Sequence, residues 1–200
     1  MRWVVIALAL LMPSVAHAAR WPMLCTDFLD VWARQIEADG DPVTKPGNWV
    51  FENKGWDAES YSFSVGITGL TGALNCRSKY VDNIDIQLRY SDETVAEKNK
   101  SARFGTSLSA TVINTITDRT YNSCVDFAKY MVTSAYAEMK LRLDRGEEGP
   151  TVSLRRSLYY ENGVSDFYDG PYLDVSIANT AVEKFIWFRV IPPNIFKNSN

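Results

Sequence analysis

Apolar residues recur along this chain at two different spacings, which divide it into helices and strands. Phe28, Leu29, Trp32 and Ile36 fall on one stripe and predict a helix over residues 26–38, with Thr26 as cap and Gly40 as stop. Residues 39–48 carry two prolines and two glycines and read as a loop, followed by a strand at 49–53. Tyr61, Phe63, Val65 and Ile67 alternate with polar neighbours, and so do Ile84, Ile86, Leu88 and Tyr90. Each series predicts a strand with one buried face, and a short strand at 73–77 falls between them. Residues 91–101 are polar and read as an exposed connection. Leu108, Val112, Ile113 and Ile116 then predict a helix over 106–116. The strongest helical signal follows over 121–143, where Tyr121, Cys124, Ala128, Met131, Ala135, Tyr136, Met139 and Leu143 all keep the spacing. Arg145 and Gly146 supply its basic last turn and its stop. Strands at 152–160, 172–178 and 182–191 complete the series, and Pro192-Pro193 ends the last.

The two halves can be laid over each other. Cys25-Thr26-Asp27-Phe28 matches Cys124-Val125-Asp126-Phe127, and residues 50–55 match 158–163. Residues 63–67 fall opposite 173–177, and 74–77 opposite 186–189. Both halves run helix, then three strands. The prediction is an α+β fold: an antiparallel sheet of about six to seven strands with helices packed on one face. It is built either from two αβββ repeats, over 24–90 and 119–192, or from strands that merely share alternation.

The N-terminus changes the picture by assigning a compartment. Arg2 precedes an apolar run, 4–12, that is too short to span a membrane, and Pro13 breaks it. Ala16-His17-Ala18 then offers a small-x-small cleavage site, so residues 1–18 read as a signal peptide and 19–200 as one globular domain. Pro22-Met23-Leu24 before Cys25 does not resemble a lipoprotein site. The expected location is periplasmic or secreted, with no membrane insertion of the mature chain. The full chain carries 21 basic and 24 acidic side chains; losing Arg2 takes the net charge from −3 to −4. Such a balance gives no reason to expect nucleic acid as a partner.

His17 is the only histidine, so the mature chain holds none. That excludes Ser-His-Asp and Cys-His catalysis, and zinc sites built on histidine. Three cysteines in an oxidising compartment predict one disulfide and one free thiol. The repeat favours Cys25–Cys76, with Cys124 left as a small buried apolar residue; Cys76–Cys124 is the alternative pairing. The free thiol has no Cys-x-x-Cys partner and no imidazole to activate it. Residues 66–72 are glycine-rich, but match neither a dinucleotide fingerprint nor a P-loop, and read as a turn between strands.

Carboxylates and aromatics are the chemistry left. Glu161, Asp166 and Asp169 share one predicted loop, and Asp57 and Glu59 a corresponding one. They suit turn chemistry and solvation first, calcium or glycoside hydrolysis second. Trp49, Trp56, Phe167 and Tyr168 stand near Asn, Asp and Gly in predicted strand and loop regions, a composition that suits a protein or sugar partner. Trp32 and Trp187 are expected to close the core. Arg155 and Arg156 are consecutive, so one points to each sheet face, and the inward one needs a partner such as Glu183 or Asp174. The leading expectation is a non-enzymatic binding protein whose partner is another envelope protein or a glycan. Its binding residues would be Trp49, Trp56, Asp166, Phe167, Tyr168 and Asp169, with no cofactor. The alternatives are a carboxylate-based enzyme acting on envelope glycans and a carrier of a small apolar ligand held between sheet and helices.

Overall fold

The computed structural model describes residues 22–38, 50–53, 57–64, 69–89, 95–117, 119–158, 171–180 and 184–192. Three helices and seven strands follow in the order α1 (Cys25–Ala38), β1 (Val50–Asn53), β2 (Ala58–Ser64), β3 (Leu70–Arg77), β4 (Tyr80–Arg89), α2 (Val95–Ile116), α3 (Tyr121–Asp144), β5 (Thr151–Ser157), β6 (Tyr172–Asn179) and β7 (Lys184–Ile191). The strands form one sheet in the order β1-β2-β3-β4-β7-β6-β5. Every neighbouring pair is antiparallel. The α+β prediction therefore holds, with two meanders meeting where β4 pairs β7.

All three helices lie against the same face of the sheet. Trp32 of α1 packs edge-on against Phe63 of β2, with ring centroids 5.3 Å apart. Gly105 of α2 lies against the Phe188 ring of β7, and Tyr130 of α3 lies under the Arg156 guanidinium of β5. Leu74, Ile84, Ile86, Leu88, Leu173, Val175, Ile186, Phe188 and Val190 project from the strands into this layer and are buried. They alternate with polar residues along each strand, which is how a pleated strand buries one side.

Helix α2 is the middle of the helical layer, and from Gly105 onwards it is buried nearly all round, Ser109 and Thr111 included. Several of its hydroxyls bond within the helix: Ser109 donates to the Gly105 carbonyl at 2.7 Å, and Thr115 to the Thr111 carbonyl at 2.8 Å, while the Ser107 hydroxyl pairs with that of Tyr121 in α3 at 2.6 Å. Such back-bonding lets polar residues sit in a core without an orphaned group. Thr111 also accepts the indole N–H of the fully buried Trp32 at 2.8 Å, tying α1 to α2.

Several boundaries differ from the sequence reading. Helix α2 starts at Val95, within the stretch expected to be an exposed connection. Residues 96–101 are Ala, Glu, Lys, Asn, Lys and Ser. They bring helix propensity without an apolar stripe, and periodicity registers only a stripe. Strand β3 begins at Leu70, three residues early; Gly69 takes the turn with φ +77°, and Gly72 lies inside the strand beneath the Phe63 ring. In α3 only part of the apolar series is buried: Cys124, Ala128, Met131, Ala135 and Met139 are, whereas Tyr136 and Leu143 are exposed. The Ile36 side chain, the ends of the strands expected at 61–67 and 152–160, residues 182–183 and the signal peptide at 1–18 lie outside the described residues.

Both halves run helix and then antiparallel meander, but the matched segments do not pair alike. Phe63 faces Gly72 in the first half, whereas its counterpart Leu173 faces Val190, beyond the residues matched to β3. Strand β4 has no counterpart and stands between β3 and β7.

Cys25 and Cys76 form the disulfide, with Cα atoms 6.3 Å apart, and Cys124 stays outside it as a buried thiol, as the favoured pairing predicts. The bridge closes a corner that the backbone also holds: the Cys25 amide donates to the Lys79 carbonyl at 2.9 Å, and the Val81 amide to the Met23 carbonyl at 3.1 Å. Ser78 and Lys79 turn the β3–β4 hairpin, both with positive φ, a conformation such two-residue turns require. Among the described residues, no helix is long and apolar enough to cross a membrane.

Candidate functional site

The sheet face opposite the helices carries the densest polar arrangement among the described residues. Register explains it. Arg155 of β5 faces Asp174 of β6, Asp174 faces Arg189 of β7, and Arg189 faces Asp85 of β4. Four directly opposed residues thus alternate in charge across four strands, the favourable order for cross-strand neighbours. The next row holds Ser153, Ser176, Trp187, Gln87 and Thr71.

Contacts within this face are short and directional. Arg155 makes a two-pronged pair with Asp174, both bonds at 2.7 Å. That hydrogen bond holds the Arg155 guanidinium above its ordinary pKa, while partial burial acts against it. Arg189 engages Asp85 through two bonds at 2.7 and 3.3 Å. The Trp187 indole N–H donates to the same carboxylate at 3.1 Å, and Asn75 of β3 adds a fourth donor at 3.0 Å. Arg189 also stacks over the Trp187 ring, its guanidinium carbon 4.2 Å from the ring centroid. Asp85 therefore organises one tryptophan, one arginine and one asparagine from two neighbouring strands. Forked guanidinium–carboxylate pairs and stacked Arg–Trp pairs fix side chains that would otherwise rotate freely. Between the rows lies a depression of about 210 Å³, bordered by Ser153, Arg155, Asp174, Ser176, Trp187 and Arg189.

Two expectations are corrected here. Trp187 does not close the core: it shares β7 with Ile186 and Phe188 but points the other way, half-buried on the open face. Asp174 does partner an arginine, but the outward one. Arg156, on the helix side, instead lies over the Tyr130 ring at 5.8 Å from the centroid. At the sheet edge that position is exposed, so a buried counter-ion is not needed.

The predicted binding residues Trp49, Trp56, Asp166, Phe167, Tyr168 and Asp169, and Glu161 with them, lie outside the described residues. Asp57 and Glu59 are described, and Asp57 does structural work. Asp57 accepts from the Ser78 hydroxyl at 2.6 Å and from the Ser78 amide at 3.0 Å, so it steadies the β3–β4 turn. Glu59 lies in β2 opposite Cys76. Among the described residues no three metal-ligating side chains converge. Sequence reasoning missed Asp85, Trp187 and Arg189 as a set. Their parity was visible, because each stands between two apolar residues on an alternating strand, but the β4–β7 pairing that joins them was not.

No family model, curated protein or solved structure matches the chain.

Proposed function

We propose that this is an exported, non-enzymatic binding protein that docks another cell-envelope protein on the open face of its sheet. The observation that carries the reading is the Asp85-centred group, in which Trp187 and Arg189 are held in fixed poses on a face that no described helix covers. Tryptophan and arginine dominate the energetics of protein interfaces, and side chains ordered before binding lose little entropy on docking. The alternating charges of the ladder would set the partner's register and orientation. A disulfide fits an oxidising compartment, in keeping with the signal-peptide reading of residues 1–18.

The carboxylate-enzyme alternative fares less well on this face. Asp85 and Asp174 both accept forked bonds from arginine, which engages the oxygens a general acid or a nucleophile must use. The test is site-specific photo-crosslinking in the periplasm. A photoreactive residue at Gln87 or Ser176, on the open face, is expected to capture one protein of defined mass. The same residue at Lys129 or Thr133, exposed on α3, is expected to capture none. Equal capture from both sides, or capture from α3 alone, would overturn the proposal.

A further inference from the structure

A second feature lies on the helix side. A groove of about 290 Å³ runs between the C-terminal half of α3 and the ends of β6 and β7. Its floor is apolar, with Met139 and Ile177 each less than 5% exposed. Tyr136 and Leu143 stand on its wall, 43% and 42% exposed. The two lie two turns apart on one helix, so both flank the same trough. Lys140 and Lys184 line the same groove. Neither is in an ion pair among the described residues, although Asp144 follows Lys140 by one helical turn.

We propose that the groove binds one medium-chain carboxylate amphiphile, with its alkyl tail on Met139 and Ile177 and its carboxylate between Lys140 and Lys184. Charge and size both point there. Two exposed ammonium groups border one apolar trough, and each would gain from an anion held beside it, whereas the chain as a whole is net acidic. A cavity of roughly 150 Å³ holds benzene, so the space here suits about ten to twelve non-hydrogen atoms. That is at the small end of ligand sites and too little for a helix or a peptide strand.

Calorimetric titration of the disulfide-intact protein with decanoate, below its micelle concentration, tests the assignment. Saturable one-to-one binding is expected, weakened at least about tenfold in the double variant Lys140→Glu, Lys184→Glu. Leu143→Asp, at an exposed position on the wall of the groove, is expected to abolish it. Decyltrimethylammonium, with the same tail and the opposite charge, is expected not to bind. The proposal is overturned if decanoate gives no saturable binding, if both amphiphiles bind equally, or if the double lysine variant binds as the wild type does. Binding of hexaglutamate without decanoate would also overturn it, by making the groove a site for acidic peptide.

Discussion

Trp187 and Phe188 are neighbours on β7 and belong to opposite regions of the molecule. Phe188 is fully buried under α2, in a layer where strands and helices exclude water. Trp187 faces the other way, half-buried, bonded to Asp85 and stacked beneath Arg189. The covered face obtains its order from close packing, whereas the open face obtains it from hydrogen bonds and ion pairs. On the proposed function, that difference separates two jobs. Apolar burial stabilises the fold without choosing a partner, and a fixed polar array adds little net stability but presents a specific surface.

The sharpest way to break the comparison is Phe188→Ala. A fully buried aromatic truncated in a packed layer costs about 3–5 kcal/mol, read as a fall in the denaturant midpoint. Removing the disulfide with Cys25→Ser and Cys76→Ser comes next. Its closed loop spans 51 residues. The chain-entropy treatment assigns such a loop about 4 kcal/mol, an upper figure because the Cys25–Lys79 and Met23–Val81 bonds already hold the corner. Asp85→Ala tests the open face. It leaves Trp187, Asn75 and Arg189 without their common acceptor, and is expected to cost about 1–3 kcal/mol while disordering the indole, seen as altered tryptophan fluorescence. If Asp85→Ala cost as much as Phe188→Ala, the division between the faces would fail.

The smallest effect sits where the covered layer thins, at Tyr61 of β2. Partial burial, and then the Glu59 carboxylate, raise its pKa above the ordinary 10.0. A raised value means the folded protein holds the phenolic proton more tightly than the unfolded chain does. This contribution is fully present below pH 10 and is lost as pH climbs through the folded value. Absorbance titration of the phenolate is expected to show Tyr61 titrating late. Tyr61→Phe should remove that step, and Glu59→Gln should move it back towards the ordinary value.

Much of the covered face was legible in the sequence, because burial writes a period. The alternation at Ile84, Ile86 and Leu88 and the stripe at Phe28 and Trp32 both mark buried positions. The start of α2 was not legible, since Ala96, Glu97 and Lys98 favour helix without showing a face. Nor was the open-face site. Asp85, Asp174 and Arg189 are far apart in the chain and look like ordinary outward residues until β4 pairs β7 and β7 pairs β6. Strand order and register are long-range properties, and a lone alternating strand does not encode its neighbour. The disulfide was legible for a different reason. Both halves open with a cysteine-bearing helix, and only the first has a cysteine, Cys76, on its third strand.

The most direct test measures the two neighbours together. Trp187→Ala and Phe188→Ala would each be assayed for unfolding free energy and for yield of the crosslinked partner from position 87. The account predicts that Trp187→Ala keeps the fold, losing on the order of 1 kcal/mol, yet weakens partner capture by about thirtyfold or more. Phe188→Ala should lose about 3–5 kcal/mol and, in the fraction that remains folded, capture the partner normally. The opposite pattern would contradict it: a Trp187→Ala protein that unfolds as readily as Phe188→Ala, or one that captures the partner as the wild type does.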